Sequence, residues 1–363
     1  MTKKSRLIIL AGSALLFLII TPYIILYSLG YKVNFKTFNV VTTGGIYVRA
    51  LPSDTDVFID GKLTDTKGIF TQTVFVQNLL PELHTILIKK DGYFEYQKTL
   101  PVKEKSVTKL EHVQLFKKNI DFELLTDATK SPFTEPTPKD LYVVKNNNLY
   151  LAVLPTIPQT QATLIIKNII AYKVSDNTII WLGLDGFLYR SDLDGKNTEK
   201  LTQINIQINK KNTYEIFSLN KNIFLKENTT LSQLNSTAKF FETFFDPVNN
   251  VKLSPDGKKI IYYNDYQVFL SYLDITAIDP PLPNNEALLN NFPEKISDVF
   301  WLNDDYIVVG LPNKIVITEI DVRGNINSIE IPQPLSLISY NQQEKRLYIL
   351  NQGTTLVSEK LVP

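Results

Sequence analysis

Asp192, Asp194 and Asn197, in the stretch Asp192-Leu193-Asp194-Gly195-Lys196-Asn197, offer oxygen ligands at alternate positions, as a calcium-binding loop does. The spacing is not that of an EF-hand, and no bidentate glutamate stands at the needed offset. The stretch therefore reads as a hairpin turn. Asp304-Asp305 and Asn264-Asp265 take the same reading, at equivalent turns, and Asp185-Gly186 is a hairpin turn by composition. Two of the carboxylates could in principle serve a glycosidase, but spacing alone singles out no pair.

Other chemistries have little material. There is no cysteine, which excludes disulfides, thiolate nucleophiles and zinc–thiolate sites. The two histidines, His84 and His112, both fall in the first third of the chain. No Gly-rich phosphate loop, G-x-S-x-G elbow or H-E-x-x-H helix is present. The expectation is a protein without cofactor or metal that binds rather than catalyses.

The 363 residues are 44% hydrophobic and 21% charged, enough apolar material for two packed domains. Lys plus Arg (38) nearly cancels Asp plus Glu (37), so no net field draws the chain to nucleic acid or to anionic lipid.

From Leu7 to Tyr31 no residue is charged, a run longer than the ~20 residues that cross a bilayer core. Lys3, Lys4 and Arg6 precede it, so the positive-inside rule keeps residues 1–6 in the cytoplasm and sends the remaining chain outward. Tyr23, Tyr27 and Tyr31 lie where aromatic rings suit the interface. A cleaved signal peptide is the alternative. Its apolar region would run roughly 7–15 residues before a small-x-small site, and neither feature is found. The sequence predicts an uncleaved, single-pass anchor over residues 7–31.

After a connector, 32–43, short alternating segments follow with no helical period. Ile46, Val48 and Ala50 share one face, Val57 and Ile59 precede the turn Asp60-Gly61, then come Val74 and Val76, then Ile86 and Ile88. Six or seven strands within residues 44–116 predict a small β-sandwich. The order of signals resembles a PEGA domain: Gly45-Ile46-Tyr47-Val48 opening the first strand, Pro52 after it, Val57-Phe58-Ile59-Asp60-Gly61 as a hairpin, Leu80-Pro81-x-x-His84 before a strand, and Gly92-Tyr93 at a later turn. At Pro52-Ser53-Asp54-Thr55 only the proline of the motif that names the family is kept. The resemblance implies an extracytoplasmic module of a bacterial envelope protein, with His84 structural. His112 reads as a surface or sheet-packing residue.

Ser131-Pro132-Phe133-Thr134-Glu135-Pro136-Thr137-Pro138 marks a linker or loop. Beyond it a strand–turn–strand unit recurs. Taking Tyr142, Trp181, Phe224, Ile261, Ile307 and Tyr348 as equivalent anchors, the steps are 39, 43, 37, 46 and 41 residues. Periods near 40 built of strands predict a β-propeller over 119–363, of about six four-stranded blades. The last copy lacks a fourth strand, and Asn119 to Leu125 is expected to supply it and close the ring. Leu253-Ser254-Pro255-Asp256-Gly257-Lys258 resembles the SPDG turn of TolB-like and WD-type propellers, with Pro255 presetting φ and Gly257 free to adopt positive φ.

The whole is read as an all-β chain behind one transmembrane helix, anchored in the cell membrane and presenting a PEGA-like sandwich and a propeller outside the cytoplasm. The expected partners are the membrane and an envelope protein or a cell-wall or surface glycan. The irregular stretch Thr276 to Lys295, with Asp279, Asn284, Asn285 and Glu286, is the candidate binding rim. The alternative is an envelope-anchored propeller hydrolase or lyase acting on glycans, which needs carboxylates or basic residues converging at the propeller mouth.

Overall fold

The structure is a computed structural model that describes residues 3–34, 38–64, 73–126, 131–133, 142–151, 162–175, 177–219, 221–273 and 285–362. The chain divides into two compact units.

The first unit comprises Met1–Asp121 with Asp321–Ile329 and Leu361–Pro363. Its helix α1 (Lys3–Ser28) is 26 residues long, about 39 Å at 1.5 Å per residue. Its apolar side chains from Leu7 to Tyr27 are exposed, and it is long and apolar enough to cross a membrane. Gly30, at φ 81°, ends it, and its carbonyl accepts from both the Thr43 amide (2.7 Å) and the Thr43 hydroxyl (2.8 Å). Between those two residues the connector folds as a hairpin, β1 (Tyr31–Asn34) against β2 (Asn39–Thr42).

Seven strands then build the sandwich: β3 (Gly44–Leu51), β4 (Asp56–Ile59), β5 (Lys62–Leu63), β6 (Thr73–Leu79), β7 (Leu83–Lys89), β8 (Tyr96–Pro101) and β9 (Val107–Gln114). One sheet has the order β6-β3-β9, with β3 and β9 parallel, and the other β5-β4-β7-β8. Because side chains alternate along a strand, Ile46, Val48 and Ala50 from one sheet meet Val57, Ile59, Ile86 and Ile88 from the other in one core. A register shift between β3 and β9 breaks the alternation after Leu110, so Val113 is buried and His112 faces solvent.

The second unit is Phe122–Ile320 with Glu330–Lys360. It opens with β10 (Phe122–Leu124) and continues through successive antiparallel sheets. The first contains β11 (Tyr142–Lys145), β12 (Asn148–Leu151) and β13 (Thr163–Ile166). The second contains β14 (Ile169–Ser175), β15 (Thr178–Gly183), β16 (Leu188–Asp192) and β17 (Glu199–Lys200), and the third β18 (Tyr214–Leu219), β19 (Asn222–Glu227), β20 (Thr230–Asn235) and β21 (Phe240–Phe245). The fourth contains β22 (Asn250–Leu253), β23 (Lys259–Tyr263), β24 (Gln267–Tyr272) and β25 (Glu286–Asn291), and the fifth β26 (Asp298–Trp301), β27 (Tyr306–Leu311), β28 (Lys314–Glu319) and β29 (Ser328–Pro332). The sixth is β30 (Leu337–Asn341), β31 (Arg346–Asn351) and β32 (Thr354–Ser358), with β10 as its outermost strand.

These are the blades of a β-propeller. Its second strands are buried on both faces: Phe224 packs towards the fourth blade with Ile260 and Tyr262, while its neighbours Ile223 and Leu225 pack towards the second with Ile180 and Leu182. This is why the second strands read as unbroken apolar runs rather than as alternation. A backbone bond recurs where the chain crosses to the next blade: Ile169 N to Asn147 O (2.8 Å), Ile206 N to Gly186 O (2.8 Å), Val248 N to Thr229 O (2.7 Å), Ile296 N to Asp265 O (2.7 Å) and Leu335 N to Pro312 O (3.1 Å). By this bond the turn after β11 matches the turns after the second strands elsewhere. The first blade, expected with four strands, thus shows its second to fourth, and 134–141 lie outside the described residues.

Candidate functional site

The first strands of neighbouring blades, β14 with β18 and β26 with β30, pack side by side, which sets first strands around the propeller axis. Charged residues on and beside the first strands of blades three to five form two linked clusters.

In one, Lys226 at the end of β19 donates to Asn249 O (2.6 Å) and lies 3.7 Å from Glu215 of β18. Asn249 Nδ2 donates to Asp265 Oδ1 (2.8 Å), whose Oδ2 is 3.0 Å from Lys295 Nζ. The bonds from Asn249 and Lys295 hold the Asp265 carboxyl below its ordinary value. In the other, Asp298 Oδ1 accepts from Tyr263 Oη (2.5 Å), Lys252 Nζ (2.7 Å) and Val299 N (2.7 Å). Lys252 Nζ also sits 3.6 Å from the centre of the Phe300 ring. Burial depresses the Lys252 ammonium, with Asp298 opposing, and burial together with the Asp298 charge pushes the Tyr263 hydroxyl up, so it stays a donor.

Three lysines and three carboxylates alternate across this surface. Each lysine is matched by a carboxylate, so the six together carry no net charge. Among the described residues no group of His, Cys, Asp and Glu could hold a metal ion.

No family model matches this chain. No curated protein matches it either. Among solved structures it is similar to Hsv2p of Kluyveromyces lactis, at 11% identity and TM-score 0.43, over 68% of this chain and 76% of that one. It is also similar to YCF48 bound to D1 peptide, at 11% identity and TM-score 0.36, over 77% and 88%.

Of the residues singled out in the sequence, the sandwich set falls at both ends of that fold. Asp60 (φ 50°) and Gly61 (φ 76°) make the hairpin turn between β4 and β5. The Asp60 carboxylate receives the Thr85 amide (2.9 Å) and lies 2.6 Å from His84 Nδ1, while His84 Nε2 faces Leu80 O at 2.8 Å, beside Pro81. A Cβ on Gly45 would come 2.9 Å from Val76 O. Pro52 and Gly92-Tyr93 lie at the opposite end.

In the propeller, Ser254 Oγ donates to Asp256 Oδ1 (2.5 Å) and accepts the Lys259 amide (2.9 Å), and Gly257 takes φ 70°. Pro255 lies in this turn, and the Asp256 amide donates to Asp304 Oδ1 (2.8 Å). Asp304-Asp305 therefore shares a propeller face with Asp256, whereas Asn264-Asp265, at the other end of β23, lies on the opposite face. The equivalence expected between these two turns does not hold. Asp192, Asp194 and Asn197 close the turn between β16 and β17, Asn197 Nδ2 donating to Asp192 Oδ2 (2.6 Å) and the Lys196 amide to Asp194 Oδ1 (3.0 Å).

The stretch expected to be irregular from Thr276 to Lys295 contains a strand, β25, and Glu286 pairs there with Ser271. Asn285 precedes it at φ 58°. Asp279 and Asn284 lie outside the described residues. Sequence reasoning passed over Lys252, Tyr263 and Asp298 because they are up to 46 residues apart and meet only when the fourth and fifth blades pack.

Proposed function

We propose that this chain is a membrane-anchored binding protein of the cell envelope, held by α1 with residues 1–6 in the cytoplasm and both folded units outside. The observation that carries the reading is α1: a long helix with apolar side chains exposed all round is stable in lipid and a liability in water. The PEGA-like signals of the sandwich agree with an extracytoplasmic setting.

Binding, rather than glycan cleavage, fits the propeller. Each carboxylate of the axial clusters already faces a lysine: Asp298 with Lys252, Asp265 with Lys295, Glu215 with Lys226. The preferred partner is an extracytoplasmic protein segment of mixed charge, recognised on the face that carries Asn249, Asp265 and Lys295. The test is binding by the full chain in nanodiscs to envelope proteins and, in parallel, to peptidoglycan and surface-glycan fragments, with the double reversal Lys226→Glu, Asp265→Lys as comparison. Saturable capture of a discrete protein, weakened about tenfold or more by the reversal, supports the reading. Capture of glycan alone, or of protein unaffected by the reversal, contradicts it.

A further inference from the structure

The two ends of the sandwich differ in chemistry. Strand directions place the starts of β3, β7 and β9 and the ends of β6 and β8 together at one end, because Gly44 pairs with Leu79, Gly45 with Val107 and Leu83 with Pro101. The same end is pinned to the helix. Thr43 binds Gly30 O twice, the Lys105 amide donates to Thr43 O (2.9 Å), and the Gly45 amide donates to Ser106 O (3.0 Å).

Large apolar side chains are exposed there: Leu83 (66%) at the start of β7 and Val107 (42%) at the start of β9, with Phe38 (83%) and Val40 (56%) on the hairpin whose base is fixed to Gly30 and Glu104. Each hairpin strand is four residues, so Asn34 and Asn39 at their far ends stay within roughly 13 Å of that base. Lys32, Lys103, Glu104 and Lys105 are exposed beside them, with Glu82 half-buried. The far end carries the pairs Lys90–Asp54 and Lys89–Glu95 together with exposed Asp91. The unit's other large exposed apolar side chains beyond α1 and Leu29 among the described residues, Leu63 and Phe75, lie along β5 and β6, paired with Phe58 and Tyr47, rather than beside those charges.

We propose that the helix-side end of the first unit rests in the interfacial layer of the bilayer that α1 crosses, with Phe38, Val40, Leu83 and Val107 inserted among lipid headgroups. The proposal rests on the anchor reading above. Only Leu29 and Gly30 separate α1 from the hairpin, so this end starts at the bilayer surface whatever the tilt of the helix. Side chains that would be a liability in water are stabilised roughly 5–10 Å into the headgroup boundary, and the lysines beside them can snorkel to phosphates. The far end, an eight-residue strand or about 26 Å away, stays in water.

The test uses the full chain in liposomes of phosphatidylglycerol and phosphatidylcholine, with and without brominated acyl chains, and four single tryptophan additions: Tyr23→Trp in α1, Phe38→Trp, Leu83→Trp and Asp91→Trp. The emission of native Trp181 and Trp301 is subtracted from the parent protein. Quenching of Tyr23→Trp, Phe38→Trp and Leu83→Trp by about twofold or more, with Asp91→Trp unquenched, is expected. Quenching of Tyr23→Trp alone, or of Asp91→Trp equally, overturns the seating while leaving the anchor intact. No quenching at Tyr23→Trp removes the anchor, and the seating with it.

Discussion

His84 Nδ1 lies 2.6 Å from Asp60 Oδ2, and that contact joins the turn after β4 to the start of β7. The same imidazole reaches Leu80 O at 2.8 Å, and the same carboxylate holds the Thr85 amide at 2.9 Å. Both ring nitrogens lie within hydrogen-bond distance of the protein's own oxygens, so the buried histidine clamps two segments of the sandwich together.

His84→Ala is expected to destabilise the sandwich by about 1–3 kcal/mol through the lost contact to Asp60 and the cavity left at a buried site, the Leu80 carbonyl keeping its bond from the Glu82 amide (2.8 Å). Asp60→Ala is expected to act in the same range, because the Thr85 amide loses its acceptor as well. Denaturant unfolding in detergent, followed by hydrogen exchange of β7, measures both. No change in β7 protection would rule the clamp out.

Phe224 is fully buried between the third and fourth blades, with Phe244 edge-on at 5.4 Å. Phe224→Ala is expected to cost about 3–5 kcal/mol as a lost transfer term plus a cavity. Leu288→Ala, on the outer strand of the fourth blade and 47% exposed, is expected to cost under about 0.5 kcal/mol. Comparable losses for the two would contradict the packing of second strands between blades.

Leu125 N donates to Thr355 O at 2.9 Å, extending the antiparallel register of β10 on β32, in which Glu123 faces Val357. Leu125→Pro removes that donor and the backbone freedom around it. Faster amide exchange is expected in Thr354–Ser358, with little change in the third blade. Equal protection of β32 in both proteins would mean that β10 does not hold the last blade.

Asp321 belongs to the first unit, where Lys98 is fully buried with its Nζ 2.7 Å from Asp321 O and 3.6 Å from Oδ2. Arg323 binds the same carboxylate through Nε (2.9 Å) and Nη2 (2.8 Å). Burial alone would raise the Asp321 carboxyl, but the Arg323 bonds and the charges of Lys98 and Arg323 hold it below its ordinary value. Its contribution is therefore fully present above the unfolded carboxyl's ~3.9 and is lost as pH falls through the lower folded value. Protection of β8, next to this network, is expected to differ between the parent and Asp321→Asn by a constant amount above about pH 5, and the gap to narrow below about pH 4. A gap unchanged down to about pH 3 would contradict the ion-pair account.

The legible part of the fold was what repeats locally. Trp181, Phe224, Ile261, Ile307 and Tyr348 all fall on second strands, because a strand buried on both faces must be apolar at consecutive positions. Pro255-Asp256-Gly257 and Asp185-Gly186 were legible as turns because their conformational demands are local. The axial clusters were not: Lys252 and Asp298 look like ordinary surface charges until two blades bring them within 2.7 Å. Nor was the role of Asn325, whose amide donates to Gln97 O at 2.8 Å while its oxygen meets the Thr99 amide at 3.3 Å, across more than two hundred residues of chain. Strand periodicity carries no information about such pairings. The hairpin over Tyr31–Thr42 was passed over because its strands are four residues each, too short for alternation to register.

The absence of cysteine makes the orientation of the chain directly measurable, since any thiol introduced is the only one present. Ser5→Cys, before the span, and Asp91→Cys, on the exposed far end of the sandwich, are to be labelled with a membrane-impermeant maleimide in intact cells and again after permeabilisation. The account predicts that Asp91→Cys is labelled in intact cells and that Ser5→Cys is labelled only after permeabilisation, with both proteins remaining in the membrane pellet at alkaline pH. Labelling of Ser5→Cys alone in intact cells, or recovery of the chain in the soluble fraction, would contradict it.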